Sequence, residues 1–384
     1  MSQRLIRQTQ DMVLSLTSGE SLRVSAISQR IGSLTALRFI AAMLLVAYHT
    51  QQTLSGPAAT DGLAYDQGVS FFFVLSGFIL ALKYPAIEGY KETTRFFVAR
   101  FARIWPAYLA VIALFFGLTN TWWVPHGGRI PWITVLHITM MQSWVPRSSC
   151  YFALNAPAWS VSTEFFFYLL FPVLIRKWKA TWLYKLLLCA AITASIILTA
   201  QFFPVHHLES KPGLFNALIY VHPVSRLFEF TLGMAATLIR WPRFQTLDSF
   251  KCTIVESLLL LAVALNFCLV PRFIHENTAS AAGYWLLHCS GALIFPFLIA
   301  LFSIERGLFS KVFRHPTAVY LGEISYSMYL LHWPLLQMFR TQALTMNAFS
   351  FLLLFGAALL LSSTLLFYVV EKPLRRHIRN IFLG

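Results

Sequence analysis

Charge is scarce in this chain. Lys, Arg, Asp and Glu make up 12% of its 384 residues, about half the share found in soluble domains. Hydrophobic residues make up 57%, and they come in runs of roughly 17–25, the length that crosses a bilayer. A soluble fold is thereby excluded, and a polytopic membrane protein is the class that fits. Acidic residues are the rarer charge, 15 against 30 Lys and Arg, for a net +15. That excess does not indicate nucleic acid. The cations sit in the gaps between apolar runs and form no continuous basic face, the pattern of the positive-inside rule. The partner they imply is the lipid bilayer.

Other absences narrow the chemistry. Cys189, Cys252, Cys268 and Cys289 lie in apolar runs and Cys150 stands alone in a loop, so neither a disulfide framework nor a metal cluster is indicated. No Gly-rich phosphate loop, no G-x-S-x-G elbow and no H-E-x-x-H helix occurs. Any chemistry is therefore expected within the membrane, with no metal and no tightly bound cofactor. The first thirty residues lack the short apolar core and small-residue cleavage site of a signal peptide. Residues 1–32 read as a cytoplasmic tail, 33–372 as the membrane-embedded domain and 373–384 as a short cytoplasmic carboxy-terminal tail.

Apolar runs lie near 34–54, 67–84, 96–119, 132–145, 159–175, 182–203, 222–240, 252–270, 284–304, 318–338 and 348–370. The run at 132–145 is short and interrupted by His137 and Gln142, which marks it as re-entrant or interfacial. The fold class expected is all-α: a polytopic transmembrane helix bundle of about ten spans plus that one short segment. With the amino terminus inside and the short run not crossing, 23 of the 30 Lys and Arg fall on the cytoplasmic side and six outside. Were the short run to cross, every later loop would flip and the bias would largely vanish. The charges therefore select ten spans with both termini cytoplasmic. No internal repeat is evident. The longest outer loop, about 120–158, and the residues bounding it carry Trp122, Trp123, Trp132, Trp144 and Trp159, either an interfacial aromatic belt or a stacking surface for a sugar ring.

Within this frame a few polar residues stand out. Arg38 and His49 lie in the first span, eleven positions apart, so they fall within about 20° of one helix face and differ in depth by about 16 Å. An arginine in a membrane span costs roughly 2.5 kcal/mol or more unless paired or wetted. Glu323 is one candidate partner for Arg38. Arg95, Arg100 and Arg103 open the third span; all are Arg rather than Lys, which favours forked contacts to phosphate over simple anchoring. Ser70, Ser76 and Gly77 interrupt a Phe-rich span, as close helix contacts or as a smooth path for a ligand. Glu164, in the run at 159–175, requires a cation or a titrating base as partner, and both His49 and Arg226 are available. Arg226 and Glu229, at i and i+3, can instead pair with each other. His332 lies in the run at 318–338, as a hydrogen-bonded packing group or as a base. Glu371 ends the last span, balancing the neighbouring cations.

Taken together these segments resemble the acyltransferase family 3 membrane proteins, over about residues 33–376. The motifs, in order, are Arg38 with His49, the GVSFFFVLSGF run at 68–78, Arg100-x-x-Arg103 before Ile-Trp-Pro, Trp159-Ser160 with Glu164, the block at Arg226, the LGEISYSMYLLHWP block at 321–334, and Glu371-x-Pro373. The resemblance implies a bacterial inner-membrane O-acyltransferase. It would take acyl-CoA, with acetyl-CoA most expected, as cytoplasmic co-substrate, and acylate a hydroxyl of a cell-envelope glycan. His49 would be the essential histidine and Arg38, Arg100 and Arg103 would handle acyl-CoA. An imidazole with an ordinary pKa near 6.5 suits a general base, and a path through an acyl-His49 intermediate is equally open. Glu164 joins His49 as a catalytic candidate, and Ser76, Trp159, Ser160, Tyr326 and His332 are candidates for acceptor or oxyanion contacts. One branch of the family carries a fused carboxy-terminal esterase-like domain; without it, a separate envelope-glycan protein would supply any second activity. The competing readings are a transporter or flippase of a glycan or lipid-linked precursor, using Arg38, His49, Glu164 and Glu323 as a path, and a scaffold for an envelope-glycan complex.

Overall fold

The computed structural model describes residues 31–55, 62–119, 130–202, 211–239, 246–274 and 280–383. Among these every regular element is helical, so the protein is an all-α bundle. In chain order the principal helices are α1 (Gly32–Ser55), α2 (Gly68–Lys83), α3 (Gly89–Thr119), α4 (Ile130–Ile138), α5 (Trp159–Ile175), α6 (Trp178–Phe202), α7 (Leu227–Ile239), α8 (Ser249–Ile274), α9 (Ala281–Cys289), α10 (Phe295–Phe302), α11 (Pro316–Met338), α12 (Ala348–Leu366) and α13 (Lys372–Leu383). Eight stretches are long and apolar enough to cross a membrane, with α9 and α10 joined as one across a 3-10 turn at Ser290–Leu293. The other two apolar runs correspond to α7, of 13 residues, and α11, of 23. Each of the ten long runs in the sequence is thus helical. The amino-terminal residues 1–30, Trp122, Trp123 and Arg129 lie outside the described residues. Residues 373–383, expected as a tail, form nearly all of α13.

Position in the bundle follows composition. The Phe-rich α2 is central, with 72% of its apolar window buried, whereas the Leu-rich α6 and α8 are only 17% and 11% buried and lie at the periphery. Glycines let the central helices touch. A methyl group on Gly233 of α7 would lie 1.8 Å from the Val74 carbonyl oxygen of α2, and one on Gly77 of α2 would lie 2.0 Å from that of Phe230. At Gly322 of α11 a methyl would meet the Thr35 oxygen of α1 at 1.9 Å. These are small-residue crossings of the kind that drive membrane helix association. The pairs Thr35 with Gly322, and His49 with His332, show that α1 and α11 run side by side in one direction.

The short outer run does not cross: α4 has nine residues, about 13 Å of helix against a core about 30 Å thick. The polar residues that interrupt it are what dock it. The His137 Nε2–H donates to the Cys150 carbonyl at 2.9 Å, Nδ1 lies 3.3 Å from the Tyr108 hydroxyl of α3, and Gln142 donates to Tyr108 and to the Ala158 carbonyl. Burial pushes the His137 pKa down to about 4, which matches a neutral ring that both donates and accepts. A second polar knot holds α7, α2 and α9. Arg226 and Glu229 form the i,i+3 pair at 3.0 Å, fully buried, with Ser70 and Cys289 as further partners and the Phe73 and Tyr220 rings 5.2 and 5.0 Å from the guanidinium. Asp66 and His288, which the sequence reading did not single out, pair across the start of α2 and the end of α9.

Candidate active site

Inside the bundle is a cavity of about 770 Å³ bounded by α1, α2, α3, α5, α11, the turn Phe367–Glu371 and α13, within the 300–1,000 Å³ usual for ligand sites. Its polar walls fall into groups: Lys83 near Arg100, Arg375 and Arg379; Arg38 near Arg103 and Glu371; Glu164 with Ser76 and Tyr168; and Ser160 with Tyr329. His49 and His332 do not border the cavity.

Arg38, Arg100 and Arg103 are therefore brought together, as the sequence suggested; Arg95 is exposed on the flank of α3. Arg100 is only 7% exposed. Its guanidinium donates to the Tyr84 hydroxyl at 3.4 Å and lies over the Tyr84 and Tyr168 rings at 5.6 and 5.8 Å, while its Nε has no partner. Glu371 reaches the cavity because the helix widens to a π turn at Phe367–Glu371. Such a bulge also accommodates Pro373, which has no N–H to continue an α ladder. Ser327 donates to Glu371 at 2.9 Å, and the Glu371 charge reaches Arg375, Arg103 and Arg38.

Glu164 meets neither of the partners expected for it. Its Oε1 accepts from Ser76 at 3.2 Å and from Tyr168, one turn along α5, through a short hydrogen bond. Arg38 and Arg103 feel its charge across the cavity. Arg226 is consumed by Glu229, and His49 lies outside the cavity lining. Between them stands Tyr329 of α11, whose hydroxyl donates to the Pro157 carbonyl at 2.7 Å and lies 2.7 Å from Ser160 Oγ.

His49 and His332 face each other beyond Tyr329, with ring centroids 5.4 Å apart and planes 27° from parallel. Trp333 and Tyr48 close the sides at 5.2 and 5.1 Å from the His49 ring. The His332 Nδ1–H donates to the Tyr329 carbonyl at 2.6 Å, which leaves its Nε2 buried without a partner, as is the His49 Nδ1. Buried polar atoms are nearly always hydrogen-bonded, so two imidazole nitrogens without a protein partner in one place stand out among the buried polar groups.

The remaining candidates divide. Ser76, Ser160 and Tyr326 line the cavity, but each hydroxyl already has an acceptor: Glu164, the Pro157 carbonyl at 3.2 Å and the Ile104 carbonyl at 2.8 Å. Trp159 is packed between Phe73 and Tyr220, at 6.3 and 4.7 Å, and does not border the cavity. Tyr329, Arg375 and Arg379 were missed. Tyr329 sits three residues before His332, a helical neighbour the sequence does show; the two arginines were hidden in the supposed tail.

A family description, an acyltransferase domain, matches residues 31–369. The acyltransferase MdmB of Streptomyces mycarofaciens is 30% identical over 375 residues, covering 90% of this chain and 92% of that protein. The peptidoglycan O-acetyltransferase OatA of Listeria monocytogenes is 24% identical, over 92% of this chain and 57% of its own length. The O-acetyltransferase OatA of Staphylococcus aureus is 25% identical, over 79% and 50%. The chain thus spans about half the length of the two OatA proteins. No solved structure matches it significantly.

Proposed function

The chain belongs to the acyltransferase family whose domain it carries, and from that premise we propose that it moves an acyl group, most simply acetyl, from cytoplasmic acyl-CoA to a hydroxyl of a cell-envelope glycan. It is a multi-pass membrane protein that transfers acyl groups; the donor, the acceptor, the bacterial inner membrane and the cytoplasmic termini belong to this proposal. The observation that carries it is one cavity whose lining joins six cationic side chains, Glu164, Ser160 and Tyr329, with His332 and then His49 packed behind Tyr329, outside that lining. Coenzyme A phosphates occupy the cationic part, where arginine forks match them. The pantetheine arm passes Arg38 and Arg103, and the thioester reaches Ser160 and Tyr329.

There the acceptor hydroxyl attacks the thioester carbonyl and its proton passes to His49. The C–O bond forms, the C–S bond breaks, and the coenzyme A thiolate leaves and is reprotonated. Ser160 is the oxyanion donor we assign, because its 3.2 Å bond to Pro157 is long enough to exchange. Glu164 holds the Ser76 and Tyr168 hydroxyls and balances the two deep arginines. Other envelope-glycan proteins supply or consume the acceptor.

The experiment is acetyl-CoA consumption by the purified protein, with mass spectrometry of envelope glycans from a deletion strain and its parent. Acetyl-CoA turnover lost in His49→Ala, together with a missing glycan acetyl group, supports the reading. The 3-10 break at Ser290–Leu293 is the feature a transporter would also use. Glycan movement without acetyl-CoA consumption would establish that function instead.

A further inference from the structure

A second polar cluster lies outside the cavity, where the His49 end of α1 meets the start of α2 and the end of α9. Asp66, in the 3-10 turn Tyr65–Gln67 that leads into α2, is hydrogen-bonded to Nδ1 of His288. Its neighbour Gln67 pins that turn to the chain after α9. The Gln67 amide donates to the Leu287 carbonyl at 2.7 Å and accepts from the Gly291 N–H at 2.8 Å. His288 is thus an imidazole oriented by a carboxylate, which fixes the nitrogen that carries the proton. Its Nε2 bonds to none of the described residues, and the side chain is 18% exposed against 8% for Asp66. Tyr284 and Tyr220 flank the ring, with centroids 4.2 and 5.3 Å away. Asn216 donates to the Tyr284 hydroxyl at 3.0 Å, while its Oδ1 is buried without a partner. Turning the amide over would leave its nitrogen idle instead.

This cluster adjoins the histidine pair. The Tyr48 ring packs edge-on against His49 at 5.1 Å and lies within reach of the Asp66 charge, and Gln52 sits beside both Tyr48 and His49. Arg226 also feels Asp66 but is committed to Glu229. The groups on offer are therefore a carboxylate, an imidazole nitrogen, an amide and tyrosine rings. A phosphate is held by arginine forks or ammonium groups, whereas mixed donors and acceptors beside aromatic faces suit the hydroxyls of an uncharged sugar. We infer that Asp66 and His288 are positioning residues of an acceptor site for a neutral polyhydroxyl compound. His288 Nε2 binds a hydroxyl next to the one that is acylated, Asp66 holds the ring for it, and Asn216 takes a further hydroxyl. This assignment rests on the reading of the protein as a glycan acyltransferase.

The test is transfer of radiolabelled acetyl from acetyl-CoA to the envelope fraction of a deletion strain, by the full-length protein in nanodiscs, with each substrate varied in turn. Asp66→Asn and His288→Gln should each raise the amount of envelope fraction needed for half-maximal transfer about tenfold, the scale of a lost hydrogen bond to a charged group, and leave half-saturation by acetyl-CoA within about twofold of wild type. A purely structural role would instead move both half-saturations together with the thermal midpoint, and that result overturns the inference. Asn216→Ala keeps the dyad and decides the matter if the dyad variants do not insert. It should raise the envelope-fraction requirement alone, by roughly threefold or more, and no rise overturns the inference. If the wild type labels no envelope component, the glycan acyltransferase reading itself fails, whereas wild-type labelling with unaltered variants overturns the inference alone.

Discussion

Replacing Gly233 by Ala tests the link between helix packing and the cavity. The new methyl would lie 1.8 Å from the Val74 carbonyl oxygen, whereas ordinary carbon–oxygen contact is about 3.4 Å, so α2 and α7 must part by roughly 1.6 Å. Backbone cannot yield as a side-chain tip can, and the overpacking should cost about 1–3 kcal/mol. The displacement does not stop at the crossing. Ser76 is two residues from Val74, and its hydroxyl donates to Glu164 at 3.2 Å. A shift of that size carries the pair beyond hydrogen-bonding distance and leaves the carboxylate with Tyr168 alone. Two readouts are expected to fall together in nanodiscs: the thermal midpoint and the acetyl-CoA turnover. Gly356→Ala is the control, since nothing lies within 4 Å of a methyl there, and it should be neutral or stabilising by up to about 1 kcal/mol. If Gly233→Ala keeps the wild-type midpoint and turnover, the close crossing is not what positions Ser76, and the argument fails.

Other outcomes follow from the same geometry. His49→Ala should abolish transfer while the protein still inserts and elutes as wild type; retained activity removes His49 from the chemistry. Arg100→Ala with Arg103→Ala should raise the KM for acyl-CoA by roughly ten- to a hundredfold, two charged contacts being lost, and an unchanged KM would make the pair an anchor only. Tyr329→Phe removes the hydroxyl shared with Pro157 and Ser160 and should lower kcat more than it raises the acyl-CoA KM, as steady-state kinetics would show. His137 supplies a pH dependence. Its folded pKa, near 4, lies below the ordinary 6.5, so the unfolded chain binds the extra proton and stability falls as pH drops from about 6.5 to 4. The loss approaches about 3 kcal/mol, and melting curves across that range should lose this slope in His137→Asn.

The arginine pair was legible because helical spacing alone places Arg100 and Arg103 on one face of α3, and both border the cavity; of Arg38 and His49, which spacing also puts on one face, only Arg38 does. Glu164 was legible as a residue in need of partners, but not the partners themselves. Ser76 is 88 positions away in the chain, and only the crossing of α2 over α5 brings it to the carboxylate. Tyr329 could have been found from its i,i+3 spacing to His332. Arg375 and Arg379 were hidden because the dozen residues after a span read as a tail, whereas they continue as the helix α13, from which those two side chains border the cavity.

What the sequence alone determined is the set of apolar helices, because burial of apolar runs and the cost of moving charge through hydrocarbon act on each segment separately. Tertiary structure alone decided which buried polar groups satisfy one another. Arg226 takes Glu229, Glu164 takes Ser76 and Tyr168, and His49 and His332 are left facing each other with idle nitrogens. Those assignments depend on side chains from different helices arriving at one depth and one azimuth, set by the glycine crossings of α2 with α7 and α1 with α11.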